Sequence, residues 1–315
     1  MQNPMHFKPR ALFMGTGEIG LPVLRWLIKA PDLELVAVVT QPDKAVGRSQ
    51  ILTAPAPKRV ALENDLPFLQ PAKVRRPEAL DAIRGFTPDL IIVMAYGQIL
   101  PKGLLEMPRI ACLNLHASLL PRHRGAAPIQ ASILAGDTTT GITLMHMAEG
   151  LDMGDIVLAH SLSIRLRETG GSLHDRLAAL APGVLAEAIP LFLRGDAPRT
   201  PQEEKLATYA SKLDRESGKL DWTQTCWHLD RVIRAMNPWP GAYATLPDGK
   251  RLKIHRALPM HRHTGAPGEL VEITHRGMII GCGEGSLLLS DVQLEGKRRM
   301  SALEFTRGHT VAGLL

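Results

Sequence analysis

Asn114 and His116 stand one residue apart at the end of the apolar run IACLNLH (110–116), and their types could do chemistry together. If the run is a strand, alternate residues share a face, so the amide and the imidazole point the same way. Such a pair can donate hydrogen bonds to an oxygen that gains negative charge, and the imidazole can also move a proton. A third candidate, Asp152, follows in EGLDMGD (149–155), where Gly150 and Gly154 let the loop come close to a ligand. Each feature also has a plain reading: two polar residues satisfied at a strand end, and an aspartate bonded to its own turn. Spacing by itself leaves both open. Just after His116, SLLP (118–121) is a rigid apolar turn whose backbone groups would suit the edge of a flat heterocycle.

These residues need a sheet edge to hold them. Up to about residue 194, short aliphatic runs alternate with amphipathic helical patterns, which predicts an α/β domain: a Rossmann-like, open and mostly parallel sheet. The runs ALFM (11–14), LELVAVV (33–39), DLIIVMA (89–95) and IACLNLH (110–116) are expected strands, joined later by GITLMHM (141–147) and DIVLAHSLSI (155–164). Helices are expected over 18–30, where Ile19, Val23, Leu24, Leu27 and Ile28 share one face, and over about 172–194. In such sheets the ligand crevice lies at the carboxyl ends of the strands, where Asn114 and His116 fall. The catalytic domain is thus expected over 1–194 and a polar, Pro-rich linker over 195–207. Residues 208–315 are expected to hold a helix near 224–236 and then a small β-barrel (OB-like) domain of short strands with PDG and GEG turns.

Composition narrows the class. A chain of 315 residues with 45% hydrophobic and 22% charged residues can bury two cores of ordinary size. Residues 1–10 lack an apolar export segment, and the longest apolar run, LIIVMAY (90–96), is far short of the roughly 18 residues of a membrane span. The three cysteines, Cys112, Cys226 and Cys282, form no close pair, which argues against disulfides and fits a cytoplasmic protein. The net charge of +6 permits a polyanionic partner, with 15 Lys+Arg against 11 Asp+Glu beyond residue 205 and 22 against 20 before it. No membrane and no obligate protein partner is implied. HRH (261–263) lacks the further ligands of a zinc site, and Cys112 and His146 are expected to pack in strands. Trp222, Trp227 and Trp239 are expected to pack structurally, since aromatic residues make up only 4%.

One motif points elsewhere. ALFMGTGEIG (11–20) completes a G-x-G-x-x-G with Gly15, Gly17 and Gly20. A dinucleotide site also wants an acid about 20 positions on to hold the ribose, but Thr40 and Gln41 stand there, and Asp43 comes only after Pro42.

The long stretch NLHASLLPRHRGAAPIQASILAGD, followed by GITLMHMAEGLDMGDI, resembles the folate-dependent formyltransferases. Four more stretches match the members of that family that act on initiator methionyl-tRNA: TQPDKAVGR (40–48), VMAYGQILPKGLLEMPR (93–109), TYASKLDRESGKLDW (208–222) and RAMNPWPGAY (234–243). Nearly the whole chain is covered. The resemblance implies transfer of the formyl group of 10-formyltetrahydrofolate to the amino group of methionine esterified to initiator tRNA, with no metal. It places the catalytic trio on Asn114, His116 and Asp152 and the folate-contacting turn on Ser118, Leu119, Leu120 and Pro121. It also places a tRNA-inserting loop after the second strand, with Arg48 as its key arginine and Lys44, Lys58 and Arg59 nearby. The family often has further lysines after that arginine, whereas SQIL follows here. Lys250, Arg251, Lys253, Arg256 and Lys297 to Arg299 are further candidates for tRNA docking. The family usually has Gly-Thr-Pro where Gly15–Gly17 stand. By likeness to the Gly-Thr-Gly turn of glycinamide ribonucleotide formyltransferase, the turn is expected to offer backbone N–H groups on the acceptor side.

Rival functions are a formyltransferase for glycinamide ribonucleotide or an amino-sugar nucleotide, a nicotinamide-dependent oxidoreductase, and a non-catalytic RNA-binding protein.

Overall fold

Short runs such as LIIVM bury both faces without alternation, the signature of central strands in a parallel sheet covered by helices. The computed structural model describes residues 8–47, 50–261, 265–309, 311 and 313–315, and these group into two compact units. In chain order the strands begin with β1 (Arg10–Gly15), β2 (Glu34–Val39), the hairpin of β3 (Lys44–Val46) and β4 (Ile51–Thr53), and β5 (Phe68–Leu69). They continue with β6 (Leu90–Met94), β7 (Ala111–His116), β8 (Arg124–Gly125), β9 (Thr139–His146) and β10 (Ile156–Ser163).

The main sheet of the first unit runs in the order β10-β9-β7-β6-β1-β2-β5. Neighbours from β7 to β5 pair in parallel, whereas β9 returns antiparallel beside β7. The expected Rossmann-like sheet is therefore present, with every central strand where the apolar runs predicted it. Helices α1 (Leu21–Lys29), α2 (Ala56–Glu63), α3 (Pro77–Arg84), α4 (Lys102–Leu105) and α5 (Pro128–Ala135) come next in chain order, followed by α6 (Gly170–Arg194). In α1 a proline lies in the first turn, where no backbone N–H is missed, and Val23, Leu24 and Leu27 face the core. By length and composition α6 could cross a membrane. Its residues Leu177, Ala181, Val184, Leu185, Ala188 and Ile189 recur on one stripe and are buried, as in a core helix.

The units are not consecutive halves of the chain. The second gathers 126–139 and 163–173 along with 210–315, and the expected linker, 195–207, groups with the first. After β11 (Tyr209–Ala210) and α7 (Cys226–Ala235) come β12 (Tyr243–Thr245), β13 (Arg251–Met260), β14 (Leu270–Thr274), β15 (Gly277–Gly281), β16 (Ser286–Leu294), β17 (Met300–Ser301) and α8 (Ala302–Gly308). They form an antiparallel sheet in the order β12-β13-β16-β15-β14, with β17 added to β16, whose path does not close. Trp222, Leu229, Ile233, Leu252, Ile280 and Phe305 belong to its core. Thr225 and Ser301 cap the two flanking helices, each accepting from a backbone N–H three residues on.

Candidate active site

Strand β7 is buried along its whole length because it lies between β6 and β9, so its polar residues must find partners or face a cleft. Register sets Asn114 opposite Val93 and Met145, and His116 opposite Thr143. Asp152 comes from the loop between β9 and β10 and holds a left-handed backbone with φ 51°. Gly154 is required in that loop, since a Cβ there would lie 1.7 Å from the His146 carbonyl oxygen.

The three side chains converge. Asn114 Nδ2 lies 3.4 Å from Asp152 Oδ1, and His116 Nδ1 lies 3.5 Å from Asp152 Oδ2. The carboxylate is anchored more firmly by the Gly125 N–H, which donates to Oδ2 at 2.8 Å. On the far side of the ring, His116 Nε2 donates to the His123 carbonyl at 2.9 Å. Both ring nitrogens thus face acceptors. The contacts of Asp152 to Asn114 and His116 are long for hydrogen bonds, so both side chains keep donor capacity for an atom placed between them. His116 is only 5% exposed, which keeps the dielectric low where charge would develop. Such a site can stabilise an oxyanion and move a proton.

The turn after β7 is built from inside. Thr143 on β9 donates its hydroxyl to the Ser118 carbonyl at 2.7 Å and accepts the Leu120 N–H at 3.1 Å. Ser118 Oγ donates to the Arg122 carbonyl, and Arg122 N–H to the Leu119 carbonyl. Most backbone groups expected to face a ligand are therefore used within the turn. Among the described hydrogen bonds the Leu120 carbonyl takes none, which leaves it as an acceptor on a rigid edge. Neither Thr143 nor Gly125 stood out in the sequence. A threonine within a strand and a glycine within RGAAP have no local mark of such roles.

With this geometry in view, two family models match the chain: "Formyl transferase" over residues 11–189 and "Formyl transferase, C-terminal domain" over 212–310. The chain belongs to the formyl transferase family. Methionyl-tRNA formyltransferase of Akkermansia muciniphila is 48% identical over 305 residues, spanning 95% of this chain and 96% of the relative. The enzyme of the same name from Geobacter sulfurreducens is 46% identical, over 95% and 93%. In fold the chain is similar to WlaRD, a sugar 3N-formyl transferase, with a TM-score of 0.67, 18% identity, and 93% of this chain and 100% of that one covered. It is also similar to HypX from Aquifex aeolicus in complex with tetrahydrofolic acid, with a TM-score of 0.63 and 19% identity, over 98% of this chain and 51% of that one.

The other expected site residues of this formyl transferase chain divide unevenly. In the N-terminal turn, the N–H groups of Thr16 and Gly17 both donate to the Ala95 carbonyl, at 3.1 and 3.4 Å, so they are not presented to an anion as expected. The carbonyl just past the end of β6 takes what the turn was to offer a ligand. At the position of a ribose-binding acid, Thr40 is buried and Gln41 donates to the Tyr96 carbonyl, while Asp43 pairs with Lys58 at 2.8 Å. Gln70 and Lys58 hold the Asp43 carboxyl below the usual range by hydrogen bonding to its charged form.

Lys44 is exposed on β3 and donates to Gln41, with Ile51 and Leu52 exposed on the facing strand β4. Arg48 lies outside the described residues. Lys58 is engaged with Asp43 at 2.8 Å. In the second unit Lys250, Arg251, Arg298 and Arg299 are paired with Asp248, Glu216, Glu304 and Asp291. Lys253, Arg256 and Lys297 are exposed with no carboxylate partner among the described residues. Trp222 is buried as expected, but Trp227 and Trp239 are exposed, Trp227 on the outer side of α7 with its ring 5.3 Å from that of His261. His146 packs edge-on against Phe192, and burial together with Arg199 pushes its pKa down. No cluster of metal ligands occurs among the described residues; Arg262 and His263 lie outside them.

Proposed function

We propose that this chain transfers the formyl group of 10-formyltetrahydrofolate to the amino group of methionine esterified to initiator tRNA, in the cytoplasm and without a metal. The observation that carries the reading is the convergence of Asn114, His116 and Asp152 at the carboxyl end of β7, in a chain 48% identical to a methionyl-tRNA formyltransferase.

The folate supplies the formyl group. The Ser118–Pro121 turn would hold its ring, and the free acceptor at the Leu120 carbonyl together with the rigid apolar edge fits a flat, amino-bearing heterocycle. Asn114 Nδ2 and a His116 N–H donate to the formyl oxygen as it gains negative charge, a contribution of roughly 2.7–4 kcal/mol per donor in comparable sites. Asp152 orients the ring and helps carry the proton lost by the attacking amine to the leaving folate nitrogen, whose bond to the formyl carbon breaks as the new amide bond forms. Lys44 and Arg48 would contact tRNA phosphates as part of the loop after β2. Each true phosphate contact removed should lower the salt dependence of tRNA binding by about 0.9 in the log–log slope.

The reading is tested by incubating the protein with labelled formyl donor and, separately, methionyl-tRNA, glycinamide ribonucleotide and an amino-sugar nucleotide. Label should pass to methionyl-tRNA. Transfer to either nucleotide instead, or near wild-type rates in folded Asn114→Ala and Asp152→Ala variants, refutes it. Loss of tRNA-dependent turnover should exceed loss of folate binding in Arg48→Ala.

A further inference from the structure

We infer that residues 200–208 form a strap that holds the Asp152 loop against the end of β7, and that Gln202 is its positioning residue; the inference rests on the formyl-transfer reading above. The side-chain amide of Gln202 donates twice, to the Asp152 carbonyl at 2.9 Å and to the Gly154 carbonyl at 2.8 Å. Its Oε1 accepts from Arg124 Nε at 3.0 Å. Arg124 is 1% exposed, and its guanidinium also grips the Glu204 carboxylate at 2.9 and 3.1 Å. One residue further, the Gly125 N–H donates to the Asp152 carboxylate itself. Asp152 is thus held at its main chain by Gln202, which is hydrogen-bonded to the buried Arg124, and at its side chain by Gly125, the next residue after that arginine.

The strap is fastened at both ends. Thr200 and Ile156 exchange backbone hydrogen bonds at 2.8 and 3.0 Å, just past the Asp152 loop. Thr208 accepts the Arg124 N–H on its carbonyl and the His123 N–H on its hydroxyl, each at 2.8 Å. His123 is the residue whose carbonyl takes the His116 ring N–H. The strap therefore constrains the backbone behind two members of the trio. Asp152 gains from this support, since its left-handed backbone at φ 51° is an uncommon conformation for a residue other than glycine.

Only a carboxamide serves this place, giving two N–H groups to carbonyls and one oxygen to a guanidinium. Gln202→Glu separates the two tasks. The carboxylate keeps Arg124 paired but turns oxygen toward the Asp152 and Gly154 carbonyls, releasing the loop. Gln202→Leu loses every bond without adding charge.

The experiment measures kcat, KM for the formyl donor and for methionyl-tRNA, thermal unfolding, and hydrogen exchange across 123–126 and 148–155 in wild type and both variants. For Gln202→Glu we expect an unfolding midpoint close to wild type, faster exchange in both segments, and a kcat lowered about 10- to 30-fold, the worth of two hydrogen bonds. KM for the formyl donor should stay within about twofold, because Gln202 bonds to the Asp152 loop and Arg124, whereas the Ser118–Pro121 turn is held by Thr143 and by Thr208 at the strap's far end, which neither variant alters. If Gln202→Glu does not fold, Gln202→Leu should show the same kcat loss and the same exchange. Wild-type kcat with unchanged exchange in a folded variant overturns the strap, as does a loss confined to KM. If the wild-type protein itself transfers nothing to methionyl-tRNA, the functional reading fails, and the exchange measurement alone decides whether Gln202 holds the loop.

Discussion

Asp152→Asn changes one atom of a carboxylate whose two oxygens have different duties. Oδ1 faces Asn114 Nδ2 at 3.4 Å, while Oδ2 accepts from the Gly125 N–H at 2.8 Å and faces His116 Nδ1 at 3.5 Å. An amide placed with its oxygen toward Gly125 sets its NH2 against the Asn114 NH2; flipped, it sets its NH2 against the Gly125 N–H. Neither orientation satisfies all partners. Weakening or losing the bond from the Gly125 N–H costs up to about 3 kcal/mol of stability, the upper worth of a hydrogen bond to a charged group. The catalytic loss is larger, because the variant can no longer take up the amine's proton. A positioned acid–base group contributes about 10²–10⁴-fold, so kcat should fall within that range. The assay is single-turnover transfer of labelled formyl group to methionyl-tRNA at saturating donor, with circular dichroism melts to show that the variant folds. A folded Asp152→Asn protein within about fivefold of the wild-type rate would falsify the role given to this carboxylate.

Four further outcomes are expected. Thr143→Val leaves the Leu120 N–H and the Ser118 carbonyl unpaired in a buried place, so denaturant melts should show a loss of about 1–3 kcal/mol and KM for the formyl donor should rise. Gly15→Ala puts a Cβ 2.7 Å from the Phe13 ring and 2.9 Å from the Met94 carbonyl, costing about 1–3 kcal/mol. Gly17→Ala meets nothing nearer than the Ala95 Cβ at 3.5 Å at an ordinary φ of −76°, so it should be neutral or stabilise by up to about 1 kcal/mol; a large loss there would restore a special role for that glycine. Burial pushes the Cys112 and Cys282 thiols up to about 12 and raises Cys226 too, so a thiol alkylator at pH 8 should leave the native protein unlabelled and react with all three once it is unfolded.

Local pattern was enough for the central sheet, because strands buried on both faces need unbroken apolar runs, and β1, β2, β6 and β7 fall on ALFM, LELVAVV, DLIIVMA and IACLNLH. It did not reveal the attachments of the segment 195–207, whose prolines and charges read as a linker. Its backbone and Gln202 are tied to the Asp152 loop, and one-sided attachment of an exposed segment leaves no periodicity to read. The same limit applies to the cations. Lys58 and Arg251 look free in a sequence until Asp43 and Glu216 are seen beside them.

By itself the sequence determined that Asn114 and His116 share a face, since that follows from the two-residue repeat of any strand. It also argued against a dinucleotide site, since no acid stands at Thr40 or Gln41. Tertiary structure alone decided what those residues touch. Asp152 meets Gly125, 27 positions away, and Gln202 meets Arg124, 78 positions away. Such pairs depend on strand order and on where each loop returns to the sheet, which no local spacing encodes.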